Sequence, residues 1–475
     1  MQKISRKNQQ TIKKIEITSD KISGRGGLAF FLRYVERTGF YELTEKVLGH
    51  IRISTKGLSL YQFLKQLIAC FIDGTYMSME SFNDRKKDSG YSAVLENQEK
   101  AMSSSHQMKR FFRKLMDNNI GNTIYRKILH KLFLWRLHIE KPTIIILGVD
   151  TMVMDNNDAQ QREGVEPTYK KKKGYQPLHI IWGSYLVDIV FRGGSCHSNH
   201  GTDFIDSVRD LVTLIRKNYN AEVPIIVVGD SGFLDEKAFT SFEETLNIGY
   251  VITGKMYEDI MQYIEKMPAN AYKKFNGNGS GRWNYIEFGN KLKSWDTFRR
   301  TIFTTLEAEE NGQLILEFAR PDTILYTNLG CNDRFTEQLK KAGKEDVVTA
   351  DSIISLAHQR GKDELTHRSI KELATKEQLP FQQMEMNRAY YYLLAISHFL
   401  FESYKRDVTY EVLPTASYPN TFRRQVIDFA VKIVSHGRKS ILKVTNEINE
   451  RLKIYTLWER CQSPPLIMVY CVQLS

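Results

Sequence analysis

Thr143-Ile-Ile-Ile-Leu-Gly-Val149, closed by Asp150, and Pro224-Ile-Ile-Val-Val228, closed by Gly229-Asp230-Ser231-Gly232, decide the reading of this chain. Both runs are almost continuously apolar and β-branched, the composition of strands buried on both faces. Each ends at an aspartate. Between them, Leu178 to Trp182 and Tyr185 to Phe191 flank Gly183-Ser184 and predict a hairpin. Asp203 to Tyr219 predicts an amphipathic helix with Phe204, Val208, Leu211, Val212 and Ile215 on its apolar side. A helix over Asp235 to Leu246 and a strand over Gly249 to Thr253 complete the series. A hairpin meander followed by helix–strand units predicts an α/β fold with the mixed sheet of ribonuclease-H-like domains.

In that order the strands leading to Asp150 and Asp230 are neighbours, which brings their carboxylates together at one sheet edge. Two close carboxylates repel unless a cation lies between them or one is protonated. Mg²⁺ or Mn²⁺ suits such a place, since these ions take a few carboxylates together with waters and phosphate oxygens. Two such ions, about 4 Å apart, can activate a water and stabilise the leaving oxygen of an in-line phosphoryl displacement. Taken singly, each aspartate reads more readily as a turn former or helix cap, and it is the order of elements that favours chemistry. A third acid is available downstream: Arg360, Glu364 and Lys371 stand at i, i+4 and i+11 and share one helical face. That face is either a salt-bridged solvent surface or a metal-binding glutamate flanked by cations for DNA phosphates.

Outward from this core the texture changes. Residues 255–349 carry a flexible turn, Asn276-Gly-Asn-Gly-Ser-Gly281, and antiparallel strands predicted over Trp283 to Phe288, Arg299 to Glu307, Gln313 to Phe318 and Thr323 to Asn328. The expected division is a helical region over 1–140, an α/β domain over 141–254 and 350–406 that carries the three acids, a β-rich insertion over 255–349 and a helical C-terminal region over 407–475. Phe422 to Lys443 is basic and helical in texture, suited either to dimerisation or to DNA contact.

The formal net charge is +12, and it is not spread evenly. Residues 1–140 hold 25 Lys and Arg against 13 Asp and Glu, and the remainder holds 42 of each. A basic third of this kind points to nucleic acid. Within it, Ser103 to Ser105 cap a predicted helix over His106 to Met116, with Met108, Phe111, Phe112 and Leu115 on one side and Lys109, Arg110, Arg113 and Lys114 off that stripe. It reads either as a major-groove helix or as a packed surface helix with solvated cations. Lys170 to Lys173, Lys172 and Lys173 among them, offer phosphate contacts beside the catalytic edge or a solvated run. The five cysteines are scattered without a C-x-x-C, which fits a reducing, cytoplasmic setting better than a disulfide framework. Met1 to Lys14 lacks the apolar core of an export signal, and Tyr390 to Phe401 is too short to span a bilayer, so no membrane partner is expected.

Several blocks together resemble the cut-and-paste DDE transposases of bacterial insertion sequences. Arg360-x3-Glu364-x6-Lys371 is similar to the last three letters of that family's Y-x2-R-x3-E-x6-K signature. Gly174-Tyr-Gln-Pro-Leu178, Phe191-Arg-Gly-Gly with His197-Ser198, Asp230-Ser-Gly-Phe233, Ser294-Trp295 with Arg299-Arg300, and Thr327-Asn-Leu329 resemble further blocks in the family's order. The resemblance implies Asp150, Asp230 and Glu364 as a triad holding two Mg²⁺ or Mn²⁺ ions. It implies phosphate contacts from Arg360 and Lys371, and a homodimer that joins double-stranded terminal inverted repeats to target DNA. It makes Trp295, and after it Trp283, a candidate for stacking a flipped base, with a core position as the other reading. The signature's tyrosine is replaced by Ala357, beside His358.

Other chemistries fit less well. Gly229-Asp-Ser-Gly232 is also the shape of a serine-hydrolase nucleophile segment, but no histidine here has an aspartate three residues before it. Cys196-His197-x-x-His200 offers three zinc ligands in five residues without a distant fourth. The alternative from another class is a DNA-binding protein on a catalytically silent fold of the same kind.

Overall fold

The structure is a computed structural model, and it describes residues 12–51, 57–75, 77–275, 283–306, 309–310, 313–314, 322–359, 361–374, 377–436 and 439–467. Its centre is a nine-stranded mixed sheet. In chain order the strands are β1 (Ile145–Thr151), β2 (Leu178–Trp182), β3 (Tyr185–Val190), β4 (Ile225–Gly229), β5 (Gly249–Thr253), β6 (Lys273–Phe275), β7 (Trp283–Asn290), β8 (Arg299–Leu306) and β9 (Thr323–Thr327). Their spatial order is β6-β7-β8-β9-β5-β4-β1-β2-β3. β1, β4 and β5 run parallel, and β2 and β3 form the antiparallel hairpin beside them.

The strands are apolar on both faces because both faces are covered. Ile225 and Val227 point into the larger core, while Ile226 and Val228 point into a second core with Val251, Ile302, Leu325 and Ile353. The β-rich segment does not build a sheet of its own. β9 pairs antiparallel with β5, so β6 to β9 prolong the central sheet. Of the strand expected over Gln313 to Phe318, Gln313–Leu314 pairs with Glu309–Glu310, and its later residues lie outside the described ones.

The N-terminal third is helical, with α1 (Gly27–Arg37), α2 (Phe40–Leu48), α3 (Leu60–Asp73), α4 (Ser105–Asp117) and α5 (Asn122–Glu140). Ser104 caps α4 in a reciprocal capping box with Gln107. Met108, Phe111, Phe112 and Leu115 are buried, and Lys109, Arg110, Arg113 and Lys114 are exposed. α5 is tied to the sheet by a buried ion pair: Arg126 on this helix donates to both carboxylate oxygens of Asp188 on β3, at 2.7 and 2.6 Å. Burial pushes the Asp188 carboxyl up, but His130 and Arg126 outweigh it and hold it below the usual range. α6 (Asp203–Asn218), α7 (Ala350–Gln359), α8 (Gly361–Ala374) and α9 (Met384–Tyr404) complete the frame.

The C-terminal flank departs from its helical reading at one place. Val431–His436 (β10) and Lys439–Lys443 (β11) form a hairpin, joined at one edge by Lys21–Ser23. Val431 and Ile433 face inward in alternation, the period of a strand rather than a helix. Helices Asn446–Leu452 and Ile454–Gln462 follow it. Among the described residues no helix is long and apolar enough to cross a membrane.

Candidate active site

Parallel pairing of β1 with β4 aligns Val149 with Gly229. The next residue in each case is an aspartate, so Asp150, one residue before the end of β1, and Asp230, immediately after β4, stand side by side. Asp230 turns the chain at once: its Oδ1 accepts from the Gly232 amide at 2.8 Å, starting the short 3₁₀ turn Ser231–Phe233. Gly232 is required by contact rather than by φ, since a Cβ there would lie 2.7 Å from the Ser198 hydroxyl oxygen. Ser198 also stands 3.4 Å from the Thr151 hydroxyl, so one loop braces both strand ends.

Both aspartates open into a cleft of about 690 Å³. α8 supplies another part of its lining, with Glu364, His367, Arg368 and Lys371 all on the cleft. Glu364 is exposed, and Lys371 is half-buried and paired with Glu377 at 2.9 Å. Tyr169 and Lys170 line the cleft from the loop before β2. The floor is carboxylate, and the walls carry Lys170, Arg368 and Lys371, of which Arg368 is paired with Glu372 at 3.0 Å and Lys371 with Glu377, both acids also on the cleft.

The donor set at the floor is all carboxylate oxygen, which suits Mg²⁺ or Mn²⁺ better than zinc. Asp150 and Asp230 form a two-carboxylate seat, with Glu364 on the same cleft. Among the described residues no three His, Cys, Asp or Glu side chains stand close enough to share one ion. The three acids thus converge on one cleft without closing around a single point, and the Cys196, His197 and His200 stretch forms no such group either.

The family of the chain follows from its sequence over nearly its whole length. A family model described as "Transposase DDE domain group 1" matches residues 6–465. The chain belongs to the DDE transposases. Among solved structures this transposase is similar to one titled "Cryo-EM structure of piggyBac transposase synaptic complex with hairpin DNA", at 13% identity and a TM-score of 0.40, over 94% of this chain and 84% of that one. No curated protein matches it.

The remaining expected residues of the transposase fall in several places. Arg360 lies outside the described residues. Trp295 is a core residue, only 5% exposed, packed edge-on against Tyr326 at 4.8 Å and Phe239 at 5.7 Å, with the Arg299 guanidinium 5.0 Å from its ring centre. With its ring enclosed in this way it offers no open face for a flipped base. Trp283 is half-buried, 4.7 Å from the His358 ring, and Ala357 packs against the second core where the signature has a tyrosine. Lys109 pairs with Glu80 at 2.6 Å, and Arg110 and Lys114 line a separate groove of about 210 Å³ with Phe63 and Phe111. Lys172 and Lys173 are exposed but engaged, with Asp155 at 2.6 Å and Gln160 at 2.9 Å.

Tyr169, His367 and Arg368 on the cleft, and His179 behind it, were not singled out by sequence. For His367 and Arg368 a signal existed: they stand three and four residues after Glu364, the spacing that keeps helical neighbours on one face.

Proposed function

We propose that this transposase binds insertion-sequence ends as a homodimer, cuts them with divalent metal ions, and joins them to target DNA. Asp150 and Asp230 hold the ions, Glu364 completes their coordination, and Lys371, Arg368 and Lys170 hold phosphates of the scissile strand. The bound ions supply a nucleophilic water and charge for the leaving oxygen. The single observation that supports this reading most is the Val149–Gly229 register, which sets two aspartates side by side on a cleft that Glu364 also lines.

The test is cleavage of supercoiled plasmid carrying the element ends, with Mg²⁺ and with EDTA. Nicked and linear products in Mg²⁺ alone are expected. A gel shift in both conditions with cutting in neither would return the chain to the silent binder.

Binding by the basic N-terminal third rests on the exposed cations of α4. Arg113→Ala is expected to weaken end binding and to reduce the slope of log K against log salt by about 1, the share of one phosphate contact. Lys109→Ala should act in the same direction but less, because Lys109 is already paired with Glu80. Affinity measured by fluorescence anisotropy across salt concentrations checks both, and an unchanged slope for Arg113→Ala assigns α4 to packing alone.

A further inference from the structure

Two histidines near Asp150, His179 behind it and His367 on the cleft, are not used by the proposed chemistry. His179 lies directly across the β1–β2 ladder from Asp150 and is fully buried, its Nε2 2.8 Å from the Tyr391 hydroxyl on α9. Burial holds its imidazole well below the usual range, so the ring is neutral. His367 lies on α8, and its ring centre is 5.0 Å from that of His179. Its Nδ1 is 3.7 Å from Asp150 Oδ2, beyond a direct hydrogen bond and within ion-pair range. Tyr391, His179, His367 and Asp150 therefore form one connected line from the core to the cleft floor.

The line matters because of what else α8 carries. Glu364, His367 and Lys371 stand at i, i+3 and i+7, one stripe of the helix, and all three line the cleft. The C-terminal half of α8 is anchored independently, by Ser369 to His398 on α9 at 3.0 Å and by Arg423 to the carbonyls of Glu372 and Leu373. His367 links the end that bears Glu364 to the strand that bears Asp150.

We propose that His367 is a positioning residue: packed on His179 and facing Asp150, it sets the approach of Glu364 to an ion held by Asp150 and Asp230. The inference rests on the metal-dependent reading above. Groups that orient metal-binding carboxylates without touching the ion commonly govern affinity by 10–100-fold.

The experiment is calorimetric titration of Mn²⁺ into the full-length protein without DNA, with thermal melting of each variant in the absence of metal. His367→Leu fills the space without a polar atom and is expected to lose about tenfold or more in Mn²⁺ affinity. His367→Asn, which restores an amide nitrogen near the Nδ1 position, is expected to recover most of it. Should leucine prevent folding, His367→Ala gives the same comparison. Wild-type Mn²⁺ affinity in the folded Leu or Ala variant, or failure of Asn to recover it, overturns the inference. Asp150→Asn separates the two levels. If it loses Mn²⁺ while His367→Leu keeps it, only the positioning role falls. If the wild-type protein takes up no Mn²⁺, or Asp150→Asn binds as well as wild type, the metal seat falls as well.

Discussion

Asp150→Asn and Asp230→Asn are each expected to reduce strand cleavage by about 10³-fold or more, because losing metal-borne stabilisation of several kcal/mol costs about tenfold in rate per 1.4 kcal/mol. The change is nearly isosteric and leaves the strand ends in place. Asp150 is half-buried in β1 and Asp230 is half-buried beside it, so neither substitution opens a cavity. Asparagine at 230 still offers an oxygen to the Gly232 amide, so the turn after β4 is retained. What is lost is one negative charge of a two-carboxylate seat, and with it the preference for a divalent cation. End binding, which draws on cations elsewhere in the chain, should stay close to wild type in the same preparations. Single-turnover cleavage of labelled end DNA, alongside a gel shift, measures both. A variant that cuts at more than about a tenth of the wild-type rate would remove that aspartate from the chemistry. Glu364→Gln belongs in the same series. Because Glu364 is exposed and no three acids among the described residues stand close enough to share one ion, its loss tests whether Glu364 joins the two aspartates in the chemistry, and cleavage at more than about a tenth of the wild-type rate would remove it.

The seat was legible in sequence for a simple reason. A β-branched run that stops at an acid marks both a buried strand and the point where it leaves the core, and Val149-Asp150 and Gly229-Asp230 do this twice. Pairing was less legible. Thr323–Thr327 is plainly a strand by composition, but nothing local says that its partner is Gly249–Thr253, so the insertion's continuity with the central sheet emerges only in three dimensions. The two readings of Trp295 could not be separated locally for a related reason: Phe239 and Tyr326, which enclose it, come from distant segments. In the C-terminal flank the density of Lys, Arg and His obscured the alternation of Val431 and Ile433, and a hairpin replaces the expected helix there. His179 sits singly on an apolar strand, where a histidine is commonly a satisfied core residue, His367 sits on a mostly polar helix, and only their convergence on Asp150 gives them a role.

Arg423→Met is expected to lower the unfolding free energy by about 3–5 kcal/mol, the range for removing one member of a buried charged network. Arg423 is 7% exposed, and burial pulls its guanidinium down to about 10, still fully charged at neutral pH. It donates to the carbonyls of Phe71 and Ile72 at the end of α3, at 2.7 and 2.8 Å. It also donates to those of Glu372 and Leu373 at the end of α8, at 2.8 and 3.0 Å. Helix C-termini present orphan carbonyls and the negative end of the helix dipole, so one planar cation answers two of them at once. Beside it, Asp73 binds Arg25 and Arg85, each at 2.7 Å, and Arg25 reaches Asp428 at 2.7 Å. The N-terminal helices, the helix bearing Glu364 and the C-terminal flank therefore meet at one guanidinium. Methionine keeps much of the volume and supplies no donor, which isolates the polar loss from a cavity. Arg423→Lys keeps the charge but cannot span four carbonyls from a single nitrogen, so it should recover only part of the stability. Gly74 adjoins the same junction: its φ of +61° is itself unfavourable for alanine, and a Cβ there would also lie 2.1 Å from the Arg423 guanidinium carbon. Gly74→Ala should displace Arg423 and destabilise in the same direction. Urea denaturation followed by tryptophan fluorescence measures all three. An Arg423→Met protein within about 0.5 kcal/mol of wild type, the scatter of neutral surface substitutions, would mean that the ends of α3 and α8 find other donors and that the junction does not depend on this residue.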